Sequence, residues 1–511
     1  MTTTRLSVLL SEPIATIAPA LHGQFAEHLG ECIYPGIWVG PDSDIPNTDG
    51  IRQDVVDALL PLHIPVLRWP GGCFADDYHW HDGVGDPTTR PGRLNTHWGM
   101  AEETNAFGTH EFMAFTRAIE AEPYFAGNLG SGTANELRDW IEYCNHPAGT
   151  TLSDERRANG AEDPFGISWW GIGNENWGCG GRMTPEYYAE EYSRFRTFAF
   201  PFGGTPVAAV ACGPNGSDWE WTRRFLKQTA KRDRRLAQVQ NFAAHYYCRT
   251  AGTATEYTDS QWLELLTKAI AIEGVITGHR AILDEYDPER RIGLIIDEWG
   301  TWHPVEEGKP PRGLYQQNTI RDACVAALSL DLLHNHADKV VMANIAQLIN
   351  VLQSLLLVEG DVCVTTPTYH VFAMYAEHRG GTAVRLVSDA DVISTGEDSE
   401  EDARSRFIDG RTAQLRRVSG SASVKGDQLC VTAVNSHPRE AVEVELDLRG
   451  RSLESATVVV LATEDIHDHN TFTDPDRVVP GAETAVDVSG PFPTITLPPA
   501  SICKVVGRLM G

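Results

Sequence analysis

From residue 21 to about 380, short apolar runs alternate with longer stretches of helical period. Eight of the runs read as strands: LHGQFAEH, IPVLRWP, PYFAGNLG, ISWWGIGNE, VAAVACG, VQNFAAHYY, IGLIIDEW and KVVMANIAQ. The intervening segments read as helices. After the fourth run, Thr184 and Pro185 supply an N-cap and a first helical residue, and Tyr188, Tyr192, Phe195 and Ala199 follow at spacings that share one face. Strand, loop and helix repeated eight times predict right-handed crossovers and an α/β fold, the (β/α)8 barrel, over 21–380. Beyond Gly380-Gly381 the pattern changes to short β-rich runs, such as QLCVTAVN and AVEVELDL, broken by Gly, Pro, Asp and Asn. This predicts a smaller antiparallel β-sandwich, jelly-roll-like, over 381–511. The run RLSVLLSEPIATI has no role in a barrel, so residues 1–20 are expected to add one or two strands to that sandwich.

The length of 511 residues suits a barrel plus a smaller domain, because a single core stops growing well below that size. A formal net charge of −28 repels phosphate backbones and anionic lipid surfaces, so neither nucleic acid nor membrane partners are expected, whereas a neutral sugar is permitted. Glu12-Pro13 interrupts the apolar core that a secretion signal needs, and the ten cysteines lie scattered without CxxC pairs. Both features favour a reducing, cytoplasmic setting over a disulfide framework or a zinc cluster.

In such a barrel the C-terminal strand ends converge on one face, so what each strand ends on is informative. Strand 1 ends on Glu27-His28, strand 4 on Asn174-Glu175, strand 6 on His245-Tyr246-Tyr247, and strand 7 on Asp297-Glu298-Trp299; Gln347 and Gln353 follow strand 8. Two glutamates on strands 4 and 7 can face each other across the mouth. Glycoside hydrolysis needs such a pair, one carboxyl to protonate the leaving oxygen and one to attack the anomeric carbon or activate water. Glu175 lies between Trp170 and Trp177, whose apolar rings would disfavour its ionised form and suit it to be the acid. Glu298, held ionised by a donor such as Tyr246, suits the nucleophile. Singly, each glutamate reads equally well as a solvated loop carboxylate, and Glu27 or His28 alone more readily so; the catalytic reading rests on the set.

The ordered segments GQFAEHLG, RWPGGCFADDYHWHDGVG, RPGRLNTHWG, ETNAFGTHEF, WWGIGNENWGCGG, AHYY, IIDEWGTWH and ANIAQLINVLQ resemble the α-L-arabinofuranosidases of glycoside hydrolase family 51. The resemblance runs unbroken from about residue 20 to 380. It implies a retaining, exo-acting hydrolase that releases terminal arabinofuranosyl groups from arabinan or arabinoxylan oligosaccharides, without metal or cofactor, with Glu175 as acid/base and Glu298 as nucleophile. By the same resemblance Asn174 binds the 2-hydroxyl, Glu27 another hydroxyl, and Tyr246 partners the nucleophile. Gln353 acts as a late-loop ligand with Gln347 as its competitor, and Trp98 and Trp302 form pocket walls. Some members carry Asn at the position of Cys73; a thiol donates and accepts more weakly than an amide, so Cys73 is expected only to pack against the furanose. The resemblance also suggests self-association of unspecified number.

Cys73 follows strand 2 and Cys179 follows strand 4, which brings both sulfurs to the mouth. Under oxidising conditions they can bridge, and in a reducing cytoplasm two free thiols are expected. The HWHD segment carries the H-x-H pattern that opens many metal-dependent barrel hydrolases, but strands 4 and 8 end on Asn, Glu and Gln rather than on further metal ligands. His79 and His81 are therefore expected to pack in a polar loop. Remaining alternatives are a β-xylosidase or endo-β-glucanase of the same clan, and a carbohydrate-binding barrel without chemistry.

Overall fold

The computed structural model describes residues 2–231, 236–249, 252–393 and 414–510, and the backbone of 407–408 and 411–412. Eight parallel strands close into a barrel in chain order: β1 (Gly23–Phe25), β2 (Val66–Trp69), β3 (Glu122–Gly127), β4 (Trp169–Ile172), β5 (Ala208–Ala211), β6 (Asn241–Cys248), β7 (Gly293–Thr301) and β8 (Val340–Ala346). Each expected strand is present in its expected place. Ala346 of β8 pairs with Phe25 of β1 and closes the ring. Val66, Tyr124, Val210, Ala243, Ile295 and Met342 form a packed layer inside, so the barrel is a core and not a pore. A larger apolar shell lies between strands and helices. Within it Phe125 stacks on Trp140, Trp140 meets Trp170 edge-on, and Trp69 lies tilted against Phe125. The helix Pro185–Phe198 begins with Thr184 accepting from the Tyr187 N–H and Pro185 at its first position, and it buries Tyr188, Tyr192 and Phe195.

The second unit is a nine-stranded sheet whose middle strands, Thr382–Ser388, Val418–Lys425, Gln428–Asn435 and Ser501–Leu509, are antiparallel neighbours. The chain's first strand, Thr2–Thr16, lies between Thr382–Ser388, antiparallel, and Val442–Asp447, parallel. Residues from both halves of the sheet, among them Val8, Val431, Val444, Val458 and Val505, share one apolar core, so the sheet folds over itself as a sandwich. The helix Ile320–Asn335, buried along nearly its whole length, packs against β7 on one side and against Val418–Lys425 and Gln428–Asn435 on the other. No helix among the described residues is long and apolar enough to cross a membrane.

Candidate active site

The loop after β2 turns through Gly72 into a short helical turn, Cys73–Asp76, that carries the carboxylate organising the neighbouring strand end. Asp76 is buried, and its Oδ1 accepts from the Leu129 and Gly130 N–H groups at 2.8 and 2.7 Å. Its Oδ2 accepts from the Asn174 N–H at 2.7 Å and from Asn176 Nδ2 at 3.2 Å. Burial raises its pKa to about 7 against these hydrogen bonds. The loop after β4 is thereby fixed in a contorted form, with Gly173 at φ +84° and Glu175 at φ +44°, a left-handed conformation that a glutamate adopts only when its surroundings impose it. A Cβ at Gly180 would lie 2.1 Å from the Asn174 carbonyl oxygen and 2.3 Å from Asp76 Oδ2, so only glycine allows this approach.

On β7 a bulge places two consecutive acids at the centre. Ala244 pairs with Ile296 and His245 with Glu298, so Asp297 is the extra residue. Asp297 accepts from Tyr124 Oη and Asn344 Nδ2, both at 2.9 Å. Glu298 can consequently face the mouth, where its Oε1 accepts from Arg68 Nη1 and its Oε2 from Tyr247 Oη, each at 2.8 Å. Burial alone would raise the pKa of Glu298. The charges of His245 and Arg68, with the hydrogen bonds from Arg68 and Tyr247, outweigh burial and hold it below the usual carboxylate range. Arg68 also donates from Nη2 to Asn174 Oδ1 at 2.5 Å, tying the ends of β4 and β7 to one buried guanidinium.

His245 stands between the two glutamates, with Nδ1 3.0 Å from Glu175 Oε1 and 3.4 Å from Glu298 Oε2. Burial lowers its pKa, but the Glu298 charge and the hydrogen bond to Glu175 lead to a net rise. One oxygen of Glu175 and one of Glu298 lie within 4.8 Å of each other. A nearest approach of that size fits the roughly 5 to 5.5 Å between carboxyl groups at which a nucleophile and an acid/base flank one glycosidic bond. The other oxygen of Glu175 faces Cys73 and Cys179, which are joined in a disulfide, so the oxidised alternative is the one the structure contains.

A cavity of about 600 Å³ opens over the pair. Glu27, Cys73, Trp98, Tyr246, Tyr247 and Trp302 are among its lining residues. Glu27 accepts from Trp98 Nε1 and the Phe74 N–H through Oε1 and from Gln347 Nε2 through Oε2. Its pKa rises to about 7, through burial first and the Glu298 charge second. Trp302 lies edge-on to Tyr247, with the Arg249 guanidinium over its face. Asn174 is buried, and among the described residues neither its Nδ2 nor Gln347 Oε1 has a hydrogen-bond partner.

Besides the free thiols expected of Cys73 and Cys179, which are bridged, three expectations are revised. The hydroxyl of Tyr246 bonds to the Lys268 carbonyl at 2.6 Å, and Tyr247 is the partner of Glu298. Alternation along β6 carries the signal, since Tyr247 shares a face with His245 and Tyr246 does not. Gln353 does not line the cavity: it is buried behind it, accepting from the Thr301 N–H and donating to the Asp322 carbonyl and Thr368 Oγ1. Gln347 is the glutamine at the site. Trp170 packs into the barrel shell and donates to the Ile167 carbonyl, so it is not a neighbour of the Glu175 carboxyl. His79 and His81 pair with Glu136 and Glu155, and neither lines the cavity. Arg68 and Asp76 escaped the sequence reading. The signal for Arg68 was a cation in the middle of an apolar strand, which cannot stay buried without anions.

Two family models match the chain: the α-L-arabinofuranosidase 1 domain over residues 58–260 and the α-L-arabinofuranosidase C-terminal domain over residues 297–501. A protein of Bacteroides ovatus named as an intracellular exo-α-L-arabinofuranosidase is 39% identical over 492 residues, covering 95% of this chain and 92% of its own. Among solved structures, the family 51 arabinofuranosidase of Xanthomonas axonopodis pv. citri superposes with a TM-score of 0.93 at 38% identity, covering 99% of this chain and 100% of the other. The α-L-arabinofuranosidase of Thermotoga maritima, solved with arabinose, superposes at 0.85 with 29% identity over 99% of this chain and 100% of its own. Taken with the paired glutamates at the ends of β4 and β7, these likenesses establish that the chain belongs to the α-L-arabinofuranosidases of glycoside hydrolase family 51.

Proposed function

We propose that this chain is a retaining exo-α-L-arabinofuranosidase acting on arabinose-containing oligosaccharides in the cytoplasm, with residues 21–380 as its catalytic barrel and 1–20 plus 381–511 as its sandwich. Glu298 attacks the anomeric carbon while Glu175 gives its proton to the leaving oxygen. Glu175 then takes a proton from water as the covalent arabinosyl-enzyme is hydrolysed. Arg68 and Tyr247 keep the nucleophile ionised at neutral pH, and His245 holds the two carboxyls in register. Asn174 offers its Nδ2, unpartnered among the described residues, to the oxygen of the 2-hydroxyl. Glu27 and Gln347 take further hydroxyls, while Trp98 and Trp302 flank the sugar.

The observation that carries this reading is the approach of Glu175 and Glu298 to within 4.8 Å at the base of one cavity. The test is hydrolysis of nitrophenyl α-L-arabinofuranoside beside the β-D-xyloside and β-D-glucoside, with the first-formed anomer read by NMR. The arabinofuranoside is expected to be preferred with net retention. Preference for a pyranoside would overturn the substrate, and inversion would overturn the mechanism.

A further inference from the structure

The Cys73–Cys179 disulfide directs both of its sulfurs at one oxygen of Glu175: Oε2 lies 3.9 Å from Cys73 Sγ and 3.6 Å from Cys179 Sγ. A disulfide sulfur carries no hydrogen, so these are contacts and not hydrogen bonds, and Oε2 has no N–H or O–H donor among the described residues. An acid/base surrounded in this way has a second chemical identity once the bridge is opened. Reduction by a dithiol transfers two electrons and two protons, giving two thiols here and one disulfide in the reductant. The two sulfurs and the carboxylate oxygen lie mutually within 4.8 Å in the bridged form, at the edge of the cavity, and reduction turns both sulfurs into ligands.

We propose that reduced Cys73 and Cys179, with Glu175, form a binding site for a thiophilic divalent cation of the zinc and cadmium class. Two thiolates select such ions over magnesium or calcium. Zinc bound at about 2.3 Å from each sulfur in a tetrahedron needs the sulfurs about 3.8 Å apart. The two Cα atoms are 5.6 Å apart, so rotation of the side chains meets that spacing without moving the backbone. The fourth position faces the cavity, where a water completes the set. Binding releases the thiol protons, which ties affinity to pH as well as to redox state. The other cysteines supply no rival: among the described residues, the remaining eight join no comparable cluster, and all except Cys363 are buried. The site is inhibitory. A cation on Oε2 occupies the group that must hand a proton to the leaving oxygen, a consequence that rests on the acid/base reading of Glu175. The oxidised bridge, having no thiolates, protects the enzyme from the same ion.

The experiment uses the full chain in two states, reduced with dithiothreitol and desalted without oxygen, or oxidised with the bridge intact. Each is titrated with cadmium chloride while the ultraviolet thiolate-to-metal charge-transfer band and turnover of an unactivated arabino-oligosaccharide are followed. The reduced protein is expected to saturate its band at one equivalent, lose at least tenfold in turnover, and recover with EDTA. The oxidised protein is expected to show neither effect. Reduced Cys179→Ser should lose most of the band and most of the sensitivity, expressed as the ratio of its own rates with and without cadmium. An absent band in the reduced protein, or an equal band in the oxidised protein or in Cys179→Ser, overturns the site. A full band with unchanged turnover supports the site and counts instead against Glu175 as acid/base.

Discussion

Tyr247 donates its hydroxyl to Glu298 Oε2 at 2.8 Å, while the hydroxyl of Tyr246, beside it in sequence, donates to the Lys268 carbonyl. A hydrogen bond to a charged acceptor contributes about 1.5 to 3 kcal/mol, which is on the order of a ten- to hundredfold effect on a step that depends on the ionised nucleophile. Tyr247→Phe is therefore expected to lower kcat/KM by that factor. It should also move the acidic limb of the pH profile upward, since the lost bond is one that lowers the Glu298 pKa. Tyr246→Phe keeps the ring that lines the cavity and should leave the acidic limb in place. An unmoved limb in Tyr247→Phe would count against the pairing.

Leaving-group dependence separates the two glutamates. Glu298→Ala is expected to abolish turnover of every substrate, because no covalent intermediate can form. Glu175→Ala should lose about 10² to 10⁴ on oligosaccharides, whose leaving oxygen needs a proton, and much less on aryl glycosides with acidic leaving groups. Equal losses on both substrate classes would reverse or remove the assignment.

Asp76 acts at one remove. It gathers three backbone N–H groups and Asn176 Nδ2 around a buried carboxyl, and through the Asn174 N–H it sets the backbone that leads into Glu175. Asp76→Ala leaves the buried Leu129 and Asn174 N–H groups unpaired, at about 1 to 3 kcal/mol each before relaxation, frees the more exposed Gly130 N–H, and leaves Asn176 Nδ2 with only the Gly180 carbonyl. Both stability and kcat should fall. Asp76→Asn keeps one acceptor oxygen but adds an NH2 facing N–H donors, so it should restore little. The distinguishing readout is kcat against KM on an aryl substrate with a good leaving group: a purely structural role lowers the active fraction alone. Misplacement of Asn174 and Glu175 instead changes KM and the leaving-group dependence. If only the active fraction changes, Asp76 has no positioning role.

The staves were legible because each strand is an apolar run of the right length that ends on polar residues, and because the glutamates at the ends of β4 and β7 have no structural reason to sit there. What escaped detection depends on partners distant in sequence. Arg68 looks like one polar residue in IPVLRWP until Asp297, Glu298 and Asn174 are brought around it. The choice between Gln347 and Gln353 turns on how the chain folds back after β8, with Gln353 N–H bonded to the Ala346 carbonyl, and no local pattern marks that return. The adjacency of Asp297 and Glu298 conflicts with simple alternation, and only the bulge resolves it.

Three histidines buried between barrel and sandwich are expected to weaken the fold as pH falls. His22 Nε2 meets His334 Nε2 at 2.9 Å, His334 Nδ1 meets Ser421 Oγ at 3.1 Å, and His378 lies between Ser423 Oγ and Thr432 Oγ1. The His22–His334 bond exists only while at least one of the two facing nitrogens lacks a proton. Burial is the main cause that depresses all three pKa values, with His378 at about 3, and the nearby cations Arg379 and Lys504 add to it. A histidine depressed in the native state binds its proton first in the unfolded chain. Stability is therefore lost as pH falls from about 6.5, the unfolded value, toward about 3, by a few kcal/mol for His378 alone. Asp331, which accepts from Ser421, Thr432 and Tyr375, works in the opposite direction: burial raises it to about 7, so it takes up a proton in the native state first and offsets one of the three. Glu27 and Asp76, raised by burial to about 7, act in the same direction as Asp331, while His110, His279 and His370, lowered by burial to about 4, add to the loss, so the quantity to read is the His378 contribution to the difference in unfolding free energy between pH 7 and 5, measured by urea titration at each pH. In His378→Gln, whose amide can still bond Ser423 or Thr432, the pH-independent part falls but the difference between pH 7 and 5 should shrink. A difference identical to that of the parent protein would place the acid sensitivity elsewhere.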